Sequence, residues 1–255
     1  PLRIYTADGK LIAQYGTKRR IPIRLDQVPK QLINAVLATE DARYYEHPGV
    51  DLIGIIRAAK AVIASGKKSQ GASTITMQVA RNFFLSRKKT YSRKINEILL
   101  ALKIDKELSK EKVLELYLNK IYLGNRAYGV AAAAKVYYGK TLNQLTLPEM
   151  AMIAGLPQAP SRNNPVDNPE GAIKRRNHVL SRMCEVGFIS KAQYQLAIQA
   201  PMTAKYHAQT IQVKAPYVAE MVRETMVEEY GKSAYDKGLN VYTTLSAKLQ
   251  KAANT

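Results

Sequence analysis

The sequence predicts a mainly α chain with short extended elements near its two ends, and two observations carry that prediction. Apolar residues recur at helical spacing through most of the chain, as Leu32, Ile33, Val36 and Leu37 do after Pro29. Alternating, β-branched stretches occur only near the ends. Arg3-Ile4-Tyr5 and Leu11-Ile12-Ala13 flank Asp8-Gly9, a favoured hairpin turn pair, and residues 239–244 read Leu-Asn-Val-Tyr-Thr-Thr.

After the helix that follows Pro29, further helices are expected at 51–64, 74–84, 91–107, 110–118, 146–154, 170–185, 190–198 and 216–229. Asp51, Ser92, Ser109, Thr146 and Ser190 are the expected N-caps, since a short side-chain oxygen can accept from a first-turn N–H. Four prolines and three asparagines in 157–169 mark an irregular loop over the helical body.

Composition narrows the chemistry. Of 255 residues, 46% are hydrophobic, enough for a sizeable core, and Lys plus Arg outnumber Asp plus Glu by 39 to 20, giving a net charge of +19. That balance favours a polyanionic partner: nucleic acid, anionic lipid or a phosphorylated substrate. Cys184 alone excludes an internal disulfide, and three scattered histidines argue against a histidine metal site. No run approaches the ~20 apolar residues that span a bilayer. Both ends read as cut, so the chain is expected to be a piece of a larger protein.

Five segments carry candidate chemistry. In Glu40-Asp41 through His47-Pro48-Gly49, an apolar helix ends in two acids followed by aromatic residues. A carboxylate in such a setting can have a raised pKa and act as a general base, although taken alone a solvated helix end is the commoner meaning. Gly71-Ala72-Ser73-Thr74-Ile75-Thr76 opens a helix that carries Gln78 and Arg81, and its N–H groups could hold an anion. Arg93, Lys94 and Glu97 share a helical face, and Arg81, Arg87, Lys88 and Lys89 add to a basic region suited to a diphosphate. The fourth segment is Leu114-Glu115-Leu116-Tyr117-Leu118-Asn119 and the fifth is Arg175-Arg176-Asn177-His178-Val179-Leu180. By themselves these two read as structural.

In order and spacing the five segments resemble the signature motifs of family 51 peptidoglycan glycosyltransferases, over roughly residues 20 to 200. Tyr44 stands where that family usually has Phe, Met77 where it has Gln, and Arg81 where it has Lys. The resemblance implies a lysozyme-like, two-lobed glycosyltransferase fold. It also implies polymerisation of lipid II, with polyprenyl-linked glycan as donor and inversion at the anomeric carbon. Glu40 would be the general base, with Glu97 as the second catalytic carboxylate. Asp41, Ser73, Thr74, Gln78, Arg81, Lys89, Arg93 and Lys94 would bind substrate. No firmly bound cofactor is implied, and magnesium or manganese is the one helper ion left open.

Residues 1–19 are then expected to follow a membrane anchor, 20–200 to be the catalytic domain, and 201–255 to lead towards a transpeptidase domain. Within the catalytic domain, 51–70 combines an apolar run with cations and suits a membrane interface. Its rival, a buried core helix, fits the pattern equally well. The implied location is the periplasmic face of the bacterial inner membrane, with no nucleic-acid partner. Two other classes compete: a lysozyme-like glycan-cleaving enzyme, which would need no diphosphate site, and a basic nucleic-acid-binding domain, which would leave Glu40 unexplained. Ser65 and Ser86 each begin a formal Ser-x-x-Lys match without the partner motifs of a penicillin-reactive site.

Overall fold

Short polar caps and apolar stripes divide the chain into helices much as the periodicity predicts. The structure is a computed structural model that describes residues 1–16, 19–57, 73–85, 90–208 and 211–254. Lys89, both Ser-x-x-Lys matches and residues 58–70 of the apolar stretch lie outside the described residues. The chain forms two units, Ile21–Tyr206 and a smaller one made of Pro1–Arg20 with His207–Thr255.

In the larger unit α1 is Lys30–Glu40, α2 Ile75–Phe84, α3 Tyr91–Glu107 and α4 Lys110–Lys120. They are followed by α5 Val130–Tyr138, α6 Leu147–Gly155, α7 Pro169–Glu185 and α8 Lys191–Gln199. Ser109 and Ser190 cap their helices through the side chain, and Thr146 forms a reciprocal capping box with Glu149. Thr90 rather than Ser92 caps α3, accepting from the Arg93 N–H. Asp51 accepts from the Gly54 N–H at 2.9 Å, and residues 52–57 are helical.

Helix α5 is absent from the sequence-based expectation for a physical reason. In Val-Ala-Ala-Ala-Ala-Lys-Val-Tyr-Tyr, every residue but Lys135 is buried, so no polar stripe marks a period. One continuous core joins α1, α2 and α4 to α8, with Leu32, Leu114, Leu118, Ile153 and Leu180 all enclosed. Within it α1 packs on α6 and α7, while α2 packs on α3 and α4. The second arrangement brings together the segments that carry Gln78, Arg81, Glu97 and Tyr117.

In the smaller unit β1 (Leu2–Tyr5) and β2 (Leu11–Tyr15) form the expected antiparallel hairpin. Gly9 takes φ +75° in the turn. Strand β3 (Asn240–Tyr242) joins the other edge of β1 in parallel, so residues from both ends of the sequence share one sheet. Helix α9 (Pro216–Tyr230) covers Leu2, Ile4 and Ile12 with Ala219, Val222 and Met226, and α10 (Ala247–Ala253) closes the described chain.

Among the described residues no helix is long and apolar enough to cross a membrane.

The turn after α1 sets the segment that follows Glu40 against α3. Gly49 has φ +77°, and a Cβ there would lie 2.6 Å from the Ala101 carbonyl oxygen and 2.9 Å from the Asp105 Cβ. Gly9 has a similar φ and open space around it. Gly9→Ala should therefore cost only backbone strain, about 1–3 kcal/mol. Gly49→Ala should cost clearly more, because the turn must also move off α3. Urea midpoints of the two variants test this, and equal losses would contradict the packing described.

Candidate active site

Glu40 is the last residue of α1, partly buried where the helix ends. Gln78, on the buried face of α2, donates from Nε2 to Glu40 Oε2 at 2.8 Å. Burial raises the Glu40 carboxyl above its ordinary value. The Gln78 hydrogen bond and the charges of Arg175 and Arg81 oppose that rise without cancelling it.

Glu97 lies in the opposite kind of setting. Its side chain has 0% exposure, and two cations from its own helix hold it. Arg93 Nη1 is 2.6 Å from Oε2, and Lys94 Nζ is 2.9 Å from Oε1. Ser73 Oγ adds a donor to Oε1 at 3.2 Å. Burial alone would raise this carboxyl, but Lys94 and Arg93, helped by Arg81, outweigh it and hold it below the ordinary range. Arg81 acts on both glutamates, so it links the two settings.

The remaining predicted residues divide cleanly. Asp41 is buried with both oxygens engaged: Oδ1 at 2.8 Å from His47 Nε2, and Oδ2 accepting from the Ile75 N–H at 3.0 Å. Thr74 Oγ1 accepts from the Met77 N–H at 3.2 Å and donates to the Gly49 carbonyl at 2.6 Å. Two first-turn N–H groups of α2 are thus taken by the protein itself. The start of α2 is an ordinary Thr cap that also joins the Glu40 segment to the helix, not an open anion cradle.

Two neighbours of Glu40 received no role in the sequence reading. Arg175, on α7, is near enough for its charge to act on Glu40, and its Nε donates to the Gly155 carbonyl at 3.1 Å. The next residue, Arg176, instead turns to the Ile198 and Ala200 carbonyls. A pair of arginines in sequence cannot say which one faces the site; helix phase decides it. Tyr117, in the fourth signature segment, is the other.

A resident divalent cation fits poorly. Among the described residues no three His, Cys, Asp or Glu side chains converge, and the Glu97 oxygens are occupied by cations and a hydroxyl. Elsewhere in the same unit a polar cleft of about 470 Å³ opens beside Tyr122, Asn125, Arg126, Asp167 and Tyr206. None of the predicted site residues lines it.

The family model described as Transglycosylase matches residues 8–184. The chain belongs to the transglycosylase family. This transglycosylase is 59% identical over 255 residues to penicillin-binding protein 1A of Vibrio cholerae serotype O1, covering 100% of the chain and 31% of that protein. It is 57% identical over 253 residues to penicillin-binding protein 1A of Escherichia coli K12, covering 99% and 30%. A crystal structure of penicillin-binding protein 1A from Haemophilus influenzae superposes with a TM-score of 0.56 at 38% identity, covering 99% of the chain and 28% of that one. The chain therefore spans about a third of the length of these relatives. The shared family makes it a peptidoglycan glycosyltransferase domain with a mainly helical fold, as the motifs and the periodicity predict.

The raised Glu40 carboxyl has a stability consequence. Between its ordinary and its raised pKa the folded chain holds more protons than the unfolded one, so stability falls as pH rises through that window. Glu40→Gln removes the penalty. Its Tm should exceed that of the wild type at neutral pH, and the gain should vanish below pH about 4. Calorimetry at both pH values checks this, and a gain independent of pH would contradict it.

Proposed function

We propose that this domain polymerises lipid II into glycan strands with release of undecaprenyl diphosphate. The observation that supports this best is the pair of glutamates driven in opposite directions, with Arg81 acting on both. The 4-hydroxyl of the acceptor sugar attacks the anomeric carbon of the polyprenyl-linked donor. A new C–O bond forms there as the bond to the diphosphate oxygen breaks on the opposite face, which inverts the centre. The hydroxyl proton passes to Glu40, and the diphosphate departs with the bonding electron pair.

Each role follows from the setting. A carboxylate with a raised pKa is a stronger base, nearer the operating pH. Glu97 stays ionised, and its work is to hold Arg93 and Lys94 in place. Two cations on one carboxylate leave net positive charge for a leaving diphosphate, and Arg81 and Arg175 add more. Positioned cations act most strongly as charge develops on the leaving group. A diphosphate needs no strong acid to depart, unlike the leaving sugar of a glycan-cleaving enzyme. The polar cleft offers Tyr122, Tyr206, Asn125 and Asp167, aromatic faces and hydrogen-bonding groups that suit a saccharide chain.

The setting we propose is the periplasmic face of the inner membrane, with a transpeptidase domain elsewhere in the parent chain. Leu52, Ile53 and Ile56 are 66%, 56% and 57% exposed, while Ile55 packs inward on Val50, Met77 and Ala101. Phe83 and Phe84 are exposed at the end of α2. Such apolar groups beside cations fit an anionic lipid surface.

Two outcomes test the proposal. Glu40→Gln should cut turnover by roughly 10²–10⁴-fold and leave affinity for a moenomycin-type phosphoglycolipid nearly unchanged. Glu97→Gln and Lys94→Ala should weaken that inhibitor as well. Single-turnover rates and inhibitor titrations at fixed lipid and salt separate the roles, and normal turnover in both glutamate variants would overturn the proposal. For the membrane, changing Leu52, Ile53 and Ile56 together to Asp should release the chain from anionic vesicles with its circular dichroism intact. Unchanged sedimentation would contradict that surface.

A further inference from the structure

Three large tyrosines are wholly enclosed in the larger unit: Tyr44, Tyr117 and Tyr137. Two satisfy their hydroxyls on carbonyls, Tyr44 on Lys110 at 2.7 Å and Tyr137 on Leu123 at 2.8 Å. Tyr117 does not. It is 1% exposed, and its hydroxyl has no hydrogen-bond partner among the described residues. A buried O–H without an acceptor destabilises a fold, and phenylalanine would fill the same space without that cost. The hydroxyl therefore calls for a reason.

Its surroundings supply one. Of the charged groups near enough to act on it, Glu40 has the largest effect, then Arg81 and Asp41, and α4, which carries Tyr117, packs on α2, which carries Arg81 and Gln78. Arg81 can only donate. Asp41 has both oxygens engaged. Glu40 remains: among the described residues its hydrogen-bond partner is Gln78, on one oxygen. Tyr117 does not touch that carboxylate directly, but the phenol, the carboxylate and Arg81 together give a water the two to four partners it needs.

We propose that Tyr117 is a positioning residue for the general base, its phenol donating through one bridging water to the Glu40 carboxylate. The inference rests on the reading of Glu40 as the base. The donor orients the carboxylate and stabilises its ionised form until the acceptor proton arrives. The groups facing Glu40 are then Gln78 and Arg81 from α2, Arg175 from α7, Tyr117 from α4 and the adjoining Asp41. The charged side chain of α6, Glu149, is turned to Lys140 and plays no part.

The test is the pH profile of single-turnover lipid II polymerisation by the full-length parent protein. Tyr117→Phe should lower the maximal rate about tenfold, the usual scale of a lost hydrogen bond to a charged group. The acid limb of the profile should move to higher pH, because Glu40 loses a donor that favours its ionised form. Inhibitor affinity should stay put, and Tm should hold or rise. Fluorinated tyrosine at position 117, a stronger donor of nearly the same shape, should move the limb to lower pH. Glu40→Gln separates the two readings. If it abolishes turnover while both Tyr117 changes leave the limb in place, Tyr117 is structural only and the inference fails alone. If Glu40→Gln keeps both limb and rate, the base assignment fails and takes Tyr117 with it. A Tm drop in Tyr117→Phe, with equal rate loss at every pH, would also overturn the positioning role.

Discussion

Glu97 has no exposed surface, yet its surroundings keep it ionised. An enclosed carboxylate is expensive unless partners compensate for lost water. Here Arg93, Lys94 and Ser73 occupy it, and those contacts fix the first two turns of α3 against the start of α2. The arrangement carries more cation than carboxylate. Self-compensation would need a second acid, and among the described residues Arg93 and Lys94 pair with Glu97 alone. The leftover positive charge is held in position by the same contacts that make the burial tolerable, which is what the role proposed for it at a leaving diphosphate requires.

Glu40 and Asp41 show how far neighbours in sequence can part. Asp41 is spent on structure, closing His47 and the Ile75 N–H. His47 Nδ1 has no partner among the described residues. Glu40 keeps a carboxyl whose hydrogen-bond donor among the described residues is the neutral Gln78, and burial raises it. The anchored Asp41 holds its neighbour Glu40 in place.

The helices were legible because each carries its own signal in a short window. Caps at Ser109, Thr146 and Ser190 and the Asp8-Gly9 hairpin are all local. Helix α5 was not, since a stripe needs a polar side to contrast with. The chemistry of the site was partly legible. Arg93, Lys94 and Glu97 meet within one turn of one helix, as spacing predicts. The contacts that set the behaviour of Glu40 and Asp41 join residues 34 and 38 apart in sequence, and no local rule reaches that far. Arg175 and Arg176 looked alike until packing turned one to Gly155 and the other to Ala200.

Buried polar atoms normally find partners, and three of the exceptions among the described residues sit on α2, α3 and α4, the helices that carry Gln78, Arg81, Glu97 and Tyr117. Thr76 Oγ1 in α2, Arg93 Nε in α3 and the Tyr117 hydroxyl in α4 are all enclosed without a hydrogen bond among the described residues. Each weakens the fold, as does the desolvated Glu40 carboxyl. Their helices are adjacent, α2 packing on both α3 and α4, so these costs fall on one region. A fold optimised only for stability would place hydrocarbon at Tyr117 and a neutral amide at Glu40. On the proposed reading, the incomplete hydrogen bonding leaves groups free for a nucleophile's proton on one side and phosphate oxygens on the other.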